Sequence, residues 1–407
     1  MAFASPVGKK MFDKNLRQRL ISPKHSFLCT YIMQERRKPE SEWNIYINIL
    51  PQSYTNFPIF FTDDEKDWLK GSPFLDQVEE KIVDIKNDYD LICKEVPEFA
   101  HFPLREYSEI RMMVSSRIFG IQIEGVKTDG FVAYADMLNH KRPRQTTWNY
   151  TDDRRGFVID ALDDIKRGEQ VYDSYGKKCN SRFFLNYGFI NLDNDADEYP
   201  FRIYYNPEDK MKQIKMDMIK SQAEFMKFRV VDNLNERIMH ELLSWLRFVE
   251  YDDNITLLMQ YQAAAQQAAQ KYRRGEDSDS DDDDPSKGFK AKDLPPLSIK
   301  NEKRCLIKLQ ALCAEGLVAY PTTMEEDKDI LDNRKDLTFN QRNCVLYRYG
   351  EKKILSKLLL YCDKILPLLD MDFKTARKIV EKCRELDDCS EYITNSIYHL
   401  IKKENIK

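Results

Sequence analysis

Between residues 129 and 190 the chain changes texture, and that change limits what it can fold into. On either side, apolar residues recur at helical spacing. Phe27, Leu28, Tyr31 and Ile32 follow the helix-opening pair Ser22-Pro23. Val78, Ile82, Ile85, Tyr89 and Ile92 mark a second amphipathic run. NLNERIMHELLSWLRFVEY and EKKILSKLLLYCDKILPLL carry buried stripes further on. Inside 129–190 the pattern is instead short and apolar. GFVAYADMLNH reads as strand-like, TTWNY and GFVIDAL as two strands around TDDRR, and IKRGEQVYDSYG as a turn at Arg167-Gly168 with a short strand before Tyr175. A small β-rich core between two helical regions is an α+β arrangement.

The divisions follow from these shifts. Residues 1–25 show no sustained periodicity, 26–128 are mostly helical, 129–190 form the β-rich core, and 191–403 form a helical domain. An acidic insertion at about 271–297, with GEDSDSDDDDPSKG at its centre, is nearly free of apolar groups. It cannot bury enough surface to offset chain entropy, so the sequence predicts disorder there.

Composition excludes several classes. The 13 glycines in 407 residues and a charged fraction of 32% favour long wet helices over an all-β protein. With 64 basic and 68 acidic residues the net charge is −4, which does not suit a broadly basic nucleic-acid binder. The nine cysteines are odd in number and include no Cys-x-x-Cys pair, against a disulfide framework or a zinc cluster. MAFASPVGKKMFDKNLRQRL lacks the apolar core of a signal peptide. The uncharged stretch Trp43 to Thr62 contains Pro51 and Pro58 and reads as packed chain. These features predict a soluble, intracellular monomer, cytoplasmic with the nucleus also open to it, with no membrane or direct nucleic-acid partner.

Two segments carry chemistry jointly: Asp136-Met-Leu-Asn139-His140, and Gly168-Glu-Gln-Val-Tyr172-Asp-Ser-Tyr175-Gly176, with Asn180 and Tyr187-Gly188-Phe189 following. Together they resemble the carboxy-terminal half of a SET domain. HSFLCTYIMQE, WNIYINILP, DWLKGSPF and SSRIFGIQI resemble the helical insertion of the Rubisco large-subunit methyltransferase branch, which also includes the actin-histidine methyltransferase. LYRYGEKKIL resembles that branch's helical substrate-binding domain.

The resemblance implies methyl transfer from S-adenosylmethionine to a protein lysine, with no metal. Asn139 and His140 match the donor-binding motif. Arg117 matches the arginine of Ser-Arg-x-Phe, placed to pair with the donor carboxylate. Asp136 shapes the turn beside them and is counted with the donor-binding residues. Tyr175 matches the active-site tyrosine, at once catalytic and in contact with the donor, and Tyr187 a second wall of the lysine channel. Such a channel has a physical task. Deprotonating a lysine with an ordinary pKa near 10.4 costs about 4.6 kcal/mol at pH 7, and a desolvated aromatic channel lowers that pKa without a dedicated base. The family's histidine-specific member departs from the Tyr-Gly-Phe arrangement at the position matching Tyr187, so its presence favours lysine.

One departure stands out. A SET domain begins with strands carrying Gly-x-Gly, and this chain has no Gly-x-Gly. The sequence therefore predicts that those strands are missing and that the donor is held weakly. The alternatives are a catalytically impaired SET-like module that binds a protein partner, or a protein-histidine methyltransferase.

Overall fold

The computed structural model describes residues 2–151, 156–219, 222–260 and 294–404. Two compact units emerge. The first comprises Met1–Leu69, Pro73–Ala196 and Asp336–Cys344; the second comprises Lys70–Ser72, Asp197–Lys335 and Val345–Lys407.

The first unit starts with a helix that the sequence pattern did not reveal, α1 (Pro6–Asp13). Eight residues are too few to establish a period, but the local chemistry is complete. The Ser5 hydroxyl accepts from the Gly8 N–H at 3.0 Å, Pro6 opens the first turn, and Val7 and Met11 are buried. Three longer helices follow as the periodicity predicts: α2 (Pro23–Glu35), α3 (Phe74–Glu95) and α4 (Leu104–Arg117). Ser22 does not cap α2 with its side chain. Asp88 of α3 does that work from a distance, accepting from the N–H groups of Ile21 at 2.7 Å and Ser22 at 3.0 Å. Phe27, Met33, Phe99, Tyr107 and Ile110 form the core between these helices.

At Ile118 the chain leaves α4 directly into strand β1 (Ile118–Ile123), in a segment read as helical from sequence. β1 pairs antiparallel with β2 (Val126–Phe131), with Ile118 opposite Phe131. The expected strand through GFVAYADMLNH is broken. Ala135–Met137 is a turn of 3-10 helix, and only Asn139–His140 (β3) returns to extended backbone. β4 (Thr146–Thr151) and β5 (Gly156–Ala161) form the expected antiparallel pair. β6 (Tyr172–Asp173) lies parallel to β3, with Asn139 beside Tyr172 and His140 beside Asp173. Helix α5 (Asn180–Tyr187) follows.

In the second unit the helical reading misses an antiparallel ladder, β7 (Tyr199–Tyr204) with β8 (Phe225–Val230). Its signal was period two: Tyr199, Phe201 and Ile203 are buried, while Arg202 and Tyr204 are exposed. The remaining architecture is helical as predicted, with α6 (Arg237–Val249), α7 (Ile299–Val318), α8 (Met324–Asn333) and the part of α9 (Phe339–Ile365) from Val345 onward. Trp245, Leu246, Leu309, Leu355 and Tyr361 sit at its core. The acidic segment GEDSDSDDDDPSKG lies outside the described residues. Among the described residues no helix is long and apolar enough to cross a membrane, and no cluster of His, Cys, Asp and Glu could hold a metal ion.

Candidate active site

The β3–β6 bridge brings together two segments thirty-odd residues apart, and hydrogen bonds lock them in register. The Tyr175 N–H donates to His140 Nδ1 at 3.0 Å, and the Tyr175 hydroxyl donates to the Leu138 carbonyl at 2.7 Å. Lys141 N–H adds a bond to the Asp173 carbonyl at 2.9 Å. Gly176 has φ +92°, which lets the chain turn immediately after Tyr175. The Lys178 ammonium donates to the Tyr175 carbonyl across that turn.

His140 is thereby fixed in one tautomer. Because Nδ1 accepts, the proton resides on Nε2, and that atom is buried without a partner among the described residues. Burial, reinforced by Arg142 and Lys178, lowers the His140 pKa to about 4, so the ring is neutral at pH 7. It packs tilted against Phe183 and Tyr175, with ring centroids 4.7 and 5.2 Å away.

Tyr175 and Tyr187 stack with centroids 4.9 Å apart and planes 19° from parallel, and Phe189 meets both edge-on. Burial raises both hydroxyls to about 12, with the neighbouring Tyr187 adding to the effect on Tyr175. α5 presents Phe183 and Tyr187 on one face, four residues apart. It stops at Gly188, where φ is +75° and a Cβ would meet Asn56 Nδ2 at 2.4 Å, so glycine is needed both for the turn and for the close approach.

Arg117, at the end of α4, reaches the 3-10 turn. Its Nη1 donates to Asp136 Oδ2 at 3.0 Å and to the Asp136 carbonyl at 3.1 Å. Nη1 makes all these bonds, which leaves Nε and Nη2 for another acceptor. The Tyr46 hydroxyl donates to the same Oδ2 at 2.6 Å. Burial and this bond drive the Tyr46 hydroxyl well above its ordinary pKa. Asp136 Oδ1 and the Tyr54 hydroxyl are buried without partners among the described residues. Tyr134, just before the turn, is exposed and holds φ +71°, a strained conformation for a residue with a side chain.

The structure thus gathers Arg117, Asp136, His140, Tyr175 and Tyr187 into one neighbourhood. Asn139 sits on the same bridge with its side chain exposed. The Asp136 side chain is bonded by Tyr46 and Arg117, both distant in sequence. Phe189 and Tyr172 are half-buried. Sequence reasoning missed Tyr46, Tyr54 and Tyr134. The bond from Tyr46 crosses ninety positions of chain, and no local pattern announces it.

Comparisons with known proteins bear on the fold and on the helical region. Residues 206–355 match the Rubisco LSMT substrate-binding family. The actin-histidine N-methyltransferase of Gallus gallus is 26% identical over 344 residues, covering 81% of this chain and 54% of the relative. That of Homo sapiens is 26% identical over 345 residues with the same coverage. The chain therefore spans about half the length of the curated relatives it matches. Among solved structures, the SET domain of LSMT bound to MeLysine and AdoHcy superposes with a TM-score of 0.67 at 22% identity, covering 96% of this chain and 86% of that one. Rubisco LSMT bound to AdoMet gives 0.68 at 21% identity, with the same coverage. The chain has the fold of the LSMT SET-domain structures and resembles the branch that holds Rubisco large-subunit methyltransferase and actin-histidine methyltransferase.

Proposed function

We propose that this chain is an S-adenosylmethionine-dependent protein methyltransferase whose acceptor is a lysine side chain. The carrying observation is the Tyr175 anchorage: one residue ties its N–H to His140 and its hydroxyl to Leu138, while its ring stacks on Tyr187.

The site's chemistry fits a polar, zwitterionic donor. Asp136 Oδ1, His140 Nε2 and the Tyr54 hydroxyl are buried polar atoms without partners among the described residues, and Arg117 has donors to spare. Arg117 Nε and Nη2 suit a carboxylate, Asp136 Oδ1 an ammonium or N–H donor, and the exposed Asn139 side chain a further polar group. The donor, when bound, supplies an electrophilic methyl group on a sulfonium.

The chain's own residues supply orientation and dryness. Because the Tyr175 hydroxyl gives its proton to the Leu138 carbonyl, its lone pairs remain available for weak C–H···O contacts with a polarised methyl. The stacked Tyr175 and Tyr187, with Phe183 and Phe189 behind them, exclude water from a neighbouring amine and favour its neutral form. His140 is neutral with Nδ1 already engaged, so it holds backbone rather than moving a proton. The helical domain containing residues 206–355 would hold the protein substrate.

A second reading, histidine methylation, draws support from the names of the relatives. The stacked tyrosine pair favours lysine, because Tyr187 keeps the Tyr-Gly-Phe arrangement from which the histidine-specific member departs, and the pair offers no evident group to orient an imidazole. The test is incubation of the purified chain with labelled donor and a protein extract, with the modified residue located by mass spectrometry. Methyl groups on lysine carry the proposal, methyl groups only on histidine transfer it to the second reading, and no donor binding by calorimetry leaves a protein-binding module.

A further inference from the structure

The corner Tyr187-Gly188-Phe189 carries two aromatic walls of the site, and its hinge is a glycine. Gly188 ends α5 with φ at +75°, so the residue with the most conformational freedom stands between two rings that must hold still. Both of its backbone polar groups are engaged. Its N–H donates to the Phe184 carbonyl at 3.1 Å, and its carbonyl accepts from the side-chain amide of Asn56, Nδ2, at 3.3 Å. That carbonyl belongs to the peptide joining Gly188 to Phe189, so Asn56 holds the plane between the two rings. The backbone of Asn56 comes equally close: a Cβ on Gly188 would lie 3.0 Å from the Asn56 carbonyl oxygen. Beyond Phe189 the chain is held by Asn180, which accepts from the Asn191 N–H at 2.8 Å and donates to the Asn191 carbonyl at 3.0 Å.

Asn56 stands on a fixed support. The Phe57 N–H donates to the Tyr54 carbonyl at 3.0 Å and closes a turn, and the rings of Tyr54 and Phe57 are buried with centroids 5.9 Å apart. On the other side of the turn, the Thr55 carbonyl accepts from Asn340 Nδ2 at 3.0 Å, and the same amide donates to Glu65 Oε1 at 2.6 Å. All of these residues belong to the first unit. A segment 132 positions away in the chain therefore braces the corner that ends α5.

We propose that Asn56 is a positioning residue for methyl transfer: by holding the Gly188 carbonyl it fixes Tyr187 against Tyr175 and so aligns the acceptor amine. This role rests on the lysine reading above. Tyr187 stacks on Tyr175 at 4.9 Å, and Phe189 meets both edge-on. Freeing the corner lets the Tyr187 ring slide on its partner, and the amine leaves the line of the methyl group. Such misalignment slows transfer. It leaves the hold on the donor intact, because Arg117, Asp136 and Asn139 lie on other segments.

The experiment uses the full chain labelled with 3-fluorotyrosine, its Tyr187 fluorine line identified by the loss of that line in Tyr187→Phe. Asn56→Ala should move the line and lower the initial rate of labelled methyl transfer to lysines of a protein extract about tenfold at saturating donor, with donor affinity by calorimetry held within about twofold. Asn340→Ala, which frees the Thr55 carbonyl, should act in the same direction, and it decides the matter if Asn56→Ala does not fold. Asn186→Ala removes an amide-to-carbonyl bond of 3.2 Å, to Arg182, from the same helix but away from the corner, and should change neither readout. An unmoved Tyr187 line in both brace variants, or a moved line with an undiminished rate, would overturn the assignment. So would a loss of donor affinity as large as the loss of rate, since Asn56 would then support the donor instead. If the unmutated chain methylates no lysine, the lysine reading fails and the positioning role fails with it. A moved line in Asn56→Ala then shows that the brace is real and that the reaction was misread.

Discussion

Tyr46 and Arg117 share one oxygen of Asp136, the hydroxyl at 2.6 Å and the guanidinium Nη1 at 3.0 Å, and so the end of one helix and a short helix at Asn44–Ile49, distant in sequence, both hold the turn that precedes Asn139 and His140. The arrangement leaves Asp136 Oδ1 open while restraining its carbon frame. Tyr46→Phe keeps the ring and removes one buried bond, worth about 1 kcal/mol. Donor affinity should fall about fivefold by calorimetry, with the melting temperature lowered by a few degrees at most. An unchanged affinity would show that Arg117 alone positions the turn.

Tyr175→Phe should separate chemistry from folding. The ring stack on Tyr187 survives, and only the bond to Leu138 O is lost. Methyl transfer should drop by about 100-fold or more, while donor affinity and melting stay near those of the unmutated chain. Radiolabelled transfer beside a thermal scan measures both.

His140 gives a pH signature. Its folded pKa is lowered to about 4 from an ordinary 6.5, chiefly by burial. The unfolded chain therefore binds more protons between these values. The contribution to stability is complete above about pH 6.5 and is lost as pH falls towards 4. His25, lowered to about 3 by burial, acts with the same sign. Chemical denaturation at stepped pH should show falling stability across this window, with a shallower slope in His140→Gln.

The second unit should be most sensitive at Asp327. This fully buried carboxylate accepts from Arg348 Nη2 at 2.6 Å, Lys352 Nζ at 2.6 Å and the Thr322 hydroxyl at 2.8 Å. Asp327→Ala strands two buried cations and should cost about 3–5 kcal/mol. Urea denaturation would measure it. A cost below about 1 kcal/mol would mean that water re-solvates the site.

The long helices were legible in the sequence because their apolar spacing persists over several turns, as in Val78 to Ile92, and burial follows directly from that spacing. The pairing of β4 with β5 was legible for a similar reason, since two short apolar runs flank one turn. Asp136-Met-Leu-Asn139-His140 and the Tyr175 segment were legible as a joint motif, and the β3–β6 bridge brings the two together.

Only the tertiary structure decided the rest. Helix α1 is shorter than any detectable period and owes its place to the Ser5 cap and the burial of Met11. The strand expected through Ala135 gave way to a 3-10 turn where Tyr46 and Arg117 converge on Asp136. Asp88 serves α2 from another helix, and Asn56 looks in sequence like any loop asparagine. Such contacts depend on distances between residues far apart in the chain. Local spacing fixes which face of an element is apolar, whereas the partner of a buried polar atom is set only when those faces meet.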